Sequence, residues 1–106
     1  MSAWIPDYTD HAKKDLAKLD GSQRGQVLKA IEKVSENPLP NSEGGLGKPL
    51  GSHNTSNLTG YLKIKLLKLG LRVVYRLVRE NHVMKIVVIS VRDDDTVYIM
   101  AKNRER

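Results

Sequence analysis

Residues 60–91 read GYLKIKLLKLGLRVVYRLVRENHVMKIVVISV, and this stretch decides the fold of the chain. Its runs of β-branched, aromatic and leucine residues predict three strands, at about 60–67, 71–79 and 83–91. Gly70 permits a tight first turn, and Glu80-Asn81-His82 supply the second turn. The third strand is apolar on both faces, which favours a position inside the sheet.

Two helices are predicted before these strands. The first follows Ala12, Leu16 and Leu19, with Thr9 or Asp10 as its cap. The second carries an apolar stripe and ends near Asn37-Pro38, because proline disfavours helix at the residue before it; the stripe consists of Val27, Leu28, Ile31 and Val34. We expect Gly21 to end the first helix and Ser22 to cap the second.

The remaining segments complete an α+β domain. Residues 3–8 predict a short strand that Pro6 confines to a sheet edge, and residues 38–59 predict a long loop. A last helix is expected at about 96–104, with Asp95 as a possible cap. The predicted order is β-α-α-β-β-β-α, with a helical hairpin packed on an antiparallel sheet in a single domain of residues 1–106.

The positive charge of the chain lies in its C-terminal part. Residues 1–59 have seven Lys or Arg against seven acids, whereas residues 60–106 have eleven against five, so the net charge of +6 belongs to the second segment. Such asymmetry indicates a polyanion partner, nucleic acid first and an acidic protein second. The absence of cysteine excludes disulfide and thiolate chemistry. No apolar run suggests a membrane partner, and we expect a cytoplasmic protein.

Four cations are expected to meet on one face of the sheet. Lys63 and Lys65 alternate with core leucine and isoleucine residues on the first strand of the quoted stretch. Arg72 shares their face from the next strand, and Arg92 follows the third strand. No acidic residue inside the strands neutralises them, so we expect all four side chains to be free for the phosphates of a ligand.

A family resemblance rests on these residues. YLKIKLLKLGLRVVYRLV (61–78) followed by VVISVRDDDTVY (87–98), with DHAKKDLAKLD (10–20) and GKPL (47–50), resembles the bacterial RelE toxins of the RelE/ParE superfamily. The resemblance implies a ribosome-dependent toxin that cleaves messenger RNA. Its active-site positions are all filled here, by Lys63, Lys65, Arg72, Arg92 and Tyr98. The ParE branch, whose target is DNA gyrase, generally lacks this set.

The resemblance also implies the chemistry, which is attack of a 2′-hydroxyl on the adjacent phosphate in the ribosomal A site, without metal or cofactor. Our hypothesis makes Lys65 the base, since neighbouring cations lower the pKa of a lysine. Tyr98 assists it or stacks on a base, and Arg92 acts at the leaving group. Lys63 and Arg72 hold the phosphate. Further RNA contacts are expected from four other cations, Lys68, Arg76, Lys102 and Arg104.

One segment departs from the family pattern. Asp93, Asp94 and Asp95 stand where relatives usually carry basic residues. These acids either cap and start the last helix or weaken the binding of RNA and make the enzyme slower or more dependent on the ribosome.

The expected partners are a cognate RelB-like antitoxin, the 70S ribosome with its messenger RNA, and operator DNA only through the antitoxin complex. Two alternatives stay open. One is a non-enzymatic gyrase inhibitor of the ParE type, and the other is a catalytically inert nucleic-acid-binding relative.

Overall fold

The fold is a five-stranded sheet with helices on both faces. The computed structural model describes residues 4–50 and 60–105. No helix in these two ranges has the length and apolarity that a bilayer crossing requires. The elements follow in the order β1 (Ile5–Tyr8), α1 (Asp10–Ala17), α2 (Gly21–Val34), β2 (Lys48–Pro49), β3 (Tyr61–Leu66), β4 (Leu71–Val78), β5 (Val83–Ser90) and α3 (Asp94–Arg104).

The predicted fold class and element order are confirmed, with one added strand. The sheet order is β1-β5-β4-β3-β2, so β5 lies inside the sheet and β1 lies at an edge, as their sequences predict. β1 pairs with β5 in parallel, and the other pairs are antiparallel. The predicted loop at 38–59 contains a 3-10 turn at Asn41–Glu43 and the two-residue strand β2. The rest of that loop, residues 51–59, lies outside the described ranges, as do residues 1–3 and 106.

The helix caps correct part of the sequence interpretation. Thr9 caps α1, because its Oγ1 accepts the Ala12 N–H at 3.1 Å. The predicted Gly21 stop and Ser22 cap are wrong, since Asp20 caps α2. Asp20 accepts the Gln23 N–H at 2.7 Å while the Gln23 side chain accepts the Asp20 N–H, a capping box that leaves Gly21 as the first helical residue.

The hairpin of α1 and α2 covers one face of the sheet. Ala12 from α1 and Val27, Ile31 and Val34 from α2 pack against the even-numbered residues of β3 and the odd-numbered residues of β4. Tyr75, which is fully buried, lies in this layer. These side chains form the larger of two apolar clusters, and the alternation of β3 and β4 assigns every second residue to it.

The opposite face of the sheet is covered by α3. Val97 and Ala101 of this helix pack on Val74, Val87 and Val88. A β-bulge lies beside Val74, where β5 has one residue more than β4, so that the adjacent Val87 and Val88 both face α3. β5 reads as apolar on both faces because the helical hairpin covers one of them and α3 covers the other.

Ion pairs fasten the C-terminal end of α3. Arg104 donates to Asp15 of α1 at 2.8 Å and to the Val87 carbonyl at 2.9 Å, and Asp15 also accepts the Ile89 N–H at 2.9 Å. Glu105, which follows the helix, accepts hydrogen bonds from Arg76 at 2.7 Å and from the Tyr61 hydroxyl at 3.1 Å. It also pairs with Lys85 at 2.8 Å. One short segment therefore ties α3 to α1, β3, β4 and β5.

Gly47 lets the chain before β2 pass over a buried tyrosine. The Tyr75 hydroxyl donates to the Pro38 carbonyl at 2.8 Å. A Cβ atom at position 47 would lie 2.2 Å from that hydroxyl oxygen and 3.0 Å from the Pro38 oxygen. A side chain at this position therefore collides with a hydrogen bond of the core.

We expect Gly47→Ala to lower the free energy of unfolding by about 1–3 kcal/mol, the usual cost of overpacking. Gly47→Ala should cost less when it is introduced into Tyr75→Phe than into the wild type, because the oxygen that the new methyl group meets is then absent. The control is Gly25→Ala, at an exposed site in α2 with nothing within 4 Å, which should be neutral or stabilising. Urea denaturation measures the wild type and all four variants, and equal effects at positions 47 and 25 would contradict the predicted collision.

We expect Glu105→Gln to destabilise the protein by about 1–3 kcal/mol at pH 7, because it removes charged hydrogen bonds. Burial acts to raise the pKa of Glu105, but hydrogen bonds from Lys85 and Arg76 outweigh it and hold the pKa below its ordinary 4.5. The folded state therefore releases this proton more readily than the unfolded state, so the stabilisation is full above the unfolded pKa and disappears as the pH falls through the folded pKa.

The measurement is urea denaturation of both proteins at pH 7 and at pH 3. The stability gap should be smaller at pH 3. Glu80→Gln, at an exposed position in the turn before β5, serves as the control and should show no such gap. A Glu105→Gln gap of equal size at both pH values would refute the charge-based explanation.

Candidate active site

Three pairs of cations lie directly opposite each other across neighbouring strands. Lys48 of β2 faces Lys63 of β3, Lys65 of β3 faces Arg72 of β4, and Arg76 of β4 faces Lys85 of β5. Opposed residues of an antiparallel ladder share one side of the sheet, and like charges there are destabilising. We call this side the cationic face, and its six members are Lys48, Lys63, Lys65, Arg72, Arg76 and Lys85.

Asp94, in the first turn of α3, bridges two of these cations. The Lys63 ammonium donates to Oδ2 of Asp94, and Nε of Arg72 donates to Oδ1 at 2.6 Å. Both cationic side chains are mostly buried, with 13% and 21% of their surface exposed. The expectation that Lys63 and Arg72 are free of carboxylate partners is therefore wrong, because the acid comes from the helix that covers the strands.

The charges around Asp94 keep it ionised. Burial acts to raise the pKa of its carboxyl group, but the hydrogen bonds and charges of Lys63 and Arg72 outweigh burial and hold the pKa below its usual value. Asp93, not the predicted Asp95, caps α3 by accepting the Thr96 N–H at 2.9 Å. The bond to Thr96 is the main cause that lowers the pKa of Asp93, and the charges of Arg72 and Arg92 add to it.

The spacing of α3 explains why both of its terminal acids reach the sheet. Asp94 and Glu105 are eleven residues apart, which is close to three whole helical turns. Val97 and Ala101 lie between them on the same buried stripe. A carboxylate is favoured at the N-terminus of a helix and disfavoured at its C-terminus, so Glu105 depends on Arg76 and Lys85 for compensation.

Lys65 and Arg92 differ from Lys63 and Arg72. Both are exposed, and neither forms a salt bridge with any residue that the structure describes. The Arg92 carbonyl accepts a hydrogen bond from Nη1 of Arg72 at 2.9 Å, which holds the end of β5 beside β4. Among the described residues, the predicted cluster therefore divides into two cations that share the single negative charge of Asp94 and two that have no carboxylate partner.

Tyr98 lies at the edge of the same helix. Its ring meets Tyr61 edge to face, with 6.2 Å between centroids, and the Lys102 ammonium lies 5.5 Å from its ring centre. The ring is half-buried against the smaller apolar cluster. For neighbouring Tyr61, burial together with Glu105 raises the pKa to about 12, so that hydroxyl stays protonated at neutral pH.

The four residues predicted to make further RNA contacts have different surroundings. Lys68 is exposed in the turn between β3 and β4, and Lys102 is exposed beside Tyr98. Arg76 and Arg104 are bound to Glu105 and Asp15 at the far end of α3, where they line a cleft of about 290 Å³. Arg76 is about 13 Å from Arg72 along β4, as four strand residues require. The contact of all four residues with RNA stays a prediction, whereas the ion pairs of Arg76 and Arg104 are observed.

Four residues of the site escaped the sequence interpretation. Lys48 lies in a segment that was interpreted as a loop. Lys85 lies in a strand that was interpreted as apolar, so it was not counted among the cations. Asp94 and Glu105 were not assigned to the sheet, although Asp94, Val97, Ala101 and Glu105 follow an i, i+3, i+7, i+11 spacing that marks one helix face. In the described ranges no group of three or more His, Asp or Glu side chains is placed to hold a metal ion.

Comparisons with known proteins agree with this fold. Residues 7–100 match the family described as "ParE toxin of type II toxin-antitoxin system, parDE". The mRNA interferase toxin RelE of Escherichia coli K12 is 28% identical over 102 residues, which cover 96% of this chain and 97% of the relative.

Solved structures give the same result. The isolated E. coli RelE toxin superposes with a TM-score of 0.67 at 26% identity, covering 98% of this chain and 100% of that one. The RelBE2 toxin–antitoxin complex of Mycobacterium tuberculosis gives 0.65 at 26% identity, covering 87% and 94%. The chain therefore belongs to the ParE toxin family of type II toxin–antitoxin systems, and within the RelE/ParE superfamily it is a toxin of the RelE type.

Proposed function

We propose that this toxin is a ribosome-dependent endoribonuclease that cleaves messenger RNA in the ribosomal A site. The observation that carries the proposal is the cationic face, where six cations meet only two carboxylates of residues 4–50 and 60–105, those of Asp94 and Glu105. Repulsion between opposed cations destabilises the free protein, and the phosphates of a bound strand offset it. Relatives named mRNA interferase, which align over 96% of the chain, support the same activity.

The proposed reaction needs a base, an acid and a group that stabilises charge. The base removes the proton of the 2′-hydroxyl, whose oxygen attacks the adjacent phosphorus. The bond to the 5′-oxygen then breaks, and the acid protonates that leaving oxygen. Cations stabilise the extra negative charge on the phosphorane oxygens in between. Side chains alone carry these roles, and the proposal requires no metal or cofactor.

Exposure and pairing support a division of roles. Lys65 is exposed and without a carboxylate partner among the described residues, so it is the proposed general base, and Tyr98 of α3 assists it or stacks on a nucleobase. Arg92, also exposed, is the proposed group at the leaving oxygen. Lys63 and Arg72 already hold an oxyanion, the Asp94 carboxylate, which supports their proposed role on the phosphate.

The partners follow from the charge and from the relatives. Structures of similar toxins are titled as complexes with an antitoxin, RelBE and RelBE2. We propose that a RelB-like antitoxin neutralises this chain, that the complex reaches operator DNA through the antitoxin, and that the free toxin acts on the 70S ribosome in the cytoplasm.

A second candidate function is inhibition of DNA gyrase without catalysis. The description of the matching family as ParE toxins favours it. Gyrase inhibition requires neither a base nor an acid at Lys65 and Arg92, and neither does an inert nucleic-acid-binding relative. The filled set of five positions favours cleavage over both.

We expect Lys65→Ala and Arg92→Ala each to slow cleavage of ribosome-bound messenger RNA by at least about 10²-fold, the usual cost of losing a base or a charge-stabilising group. Primer extension on translated and untranslated messages measures the rate and maps the cut sites. The control is Lys29→Ala, which removes one exposed charge from α2 on the other side of the sheet and should cleave at the wild-type rate.

Two results would contradict the proposal. Unchanged cleavage by the double variant Lys65→Ala with Arg92→Ala would show that the proposed residues do not form the catalytic site. Toxicity with intact messages and inhibited gyrase supercoiling would instead establish the ParE-type function.

A further inference from the structure

The Asp94 carboxylate occupies Lys63 and Arg72 in the way that a phosphate group would. Each of its two oxygens has its own cationic donor, the Lys63 ammonium on one and Nε of Arg72 on the other. A phosphodiester also presents two non-bridging oxygens that share a negative charge, and both guanidinium and ammonium groups bind such oxygens well. The two anions therefore compete for the same donors.

We propose that Asp94 is a built-in competitor of the substrate phosphate, which must be displaced before Lys63 and Arg72 can bind RNA. This inference rests on the proposed function for its effect on cleavage, whereas its effect on the binding of a phosphodiester stands without that function. Asp94 thereby sets the affinity of the site for RNA and makes the free toxin a weak binder of nucleic acid.

The location of Asp94 gives this competition its strength. The residue belongs to a helix that the Asp93 cap fixes at one end and that Arg104 and Glu105 fix at the other. The carboxylate is thus held beside its donors, and a free anion pays an entropy cost that Asp94 does not pay. The Asp94 side chain is 28% exposed, so it can rotate toward solvent while α3 stays in place.

The adjacent Asp95 provides a matched control. It carries the same charge in the same first turn of α3, and it is exposed. In the described part of the chain it forms no salt bridge. Asp95→Asn therefore has the same effect as Asp94→Asn on net charge and on the helix dipole. Any difference between the two variants reports the contact with Lys63 and Arg72.

The first test measures binding of a trinucleotide of RNA whose 2′-O-methyl groups prevent cleavage, by calorimetry at one fixed ionic strength. Asp94→Asn should bind it about tenfold more tightly than Asp95→Asn does, as release of a charged hydrogen bond allows. Equal affinities, or weaker binding by Asp94→Asn, would overturn the proposal. Asp94→Ser replaces Asp94→Asn if circular dichroism shows that the latter is unfolded.

The second test measures cleavage of ribosome-bound messenger RNA by the same proteins at low toxin concentration. Asp94→Asn should cleave faster than Asp95→Asn, and a slower rate would instead make Asp94 a positioning residue and overturn the proposal. Tighter binding of the trinucleotide together with no cleavage by any of the proteins, the wild type included, would uphold the competition and reject the proposed ribonuclease function.

Discussion

The main constraint on this structure is the repulsion between cations that lie opposite each other on β2, β3, β4 and β5, which the fold has to compensate. Three such pairs lie on one side of the sheet, and an antiparallel ladder leaves opposed side chains too close to avoid each other. Asp94 and Glu105 each bind two cations, one from each of two neighbouring strands. These two carboxylates therefore reduce the repulsion within the sheet in the absence of a ligand, and they leave an excess of positive charge that a ligand can bind.

The larger apolar layer was predictable from the sequence, because it depends on local periodicity. The alternation in β3 and β4 and the stripe of α2 assign Leu62, Ile64, Val73 and Ile31 to the same cluster. The central position of β5 followed from its apolar character. The parallel pairing of β1 was not predictable, since a four-residue strand is compatible with either direction.

The second layer was less accessible because it joins residues that are far apart in the chain. Lys63 meets Asp94 over 31 residues, and Arg104 meets Asp15 over 89. The direction of Val88 depends on a bulge, and an insertion of one residue leaves no sign in an apolar run. Strand alternation and position grouped Lys63, Lys65, Arg72 and Arg92, and the family pattern added Tyr98. The carboxylate that pairs with Lys63 and Arg72 could be identified only from the packing of α3.

The length of α3 constrains the sequence of this protein. Because Asp94 and Glu105 are about three helical turns apart, the helix sets both the distance and the relative direction of the two carboxylates at the two ends of the cationic face. An insertion or deletion of one residue within it would rotate one acid by about 100° relative to the other. A change of one residue in the length of this helix would therefore cost the protein one of the two attachments of the helix to the sheet.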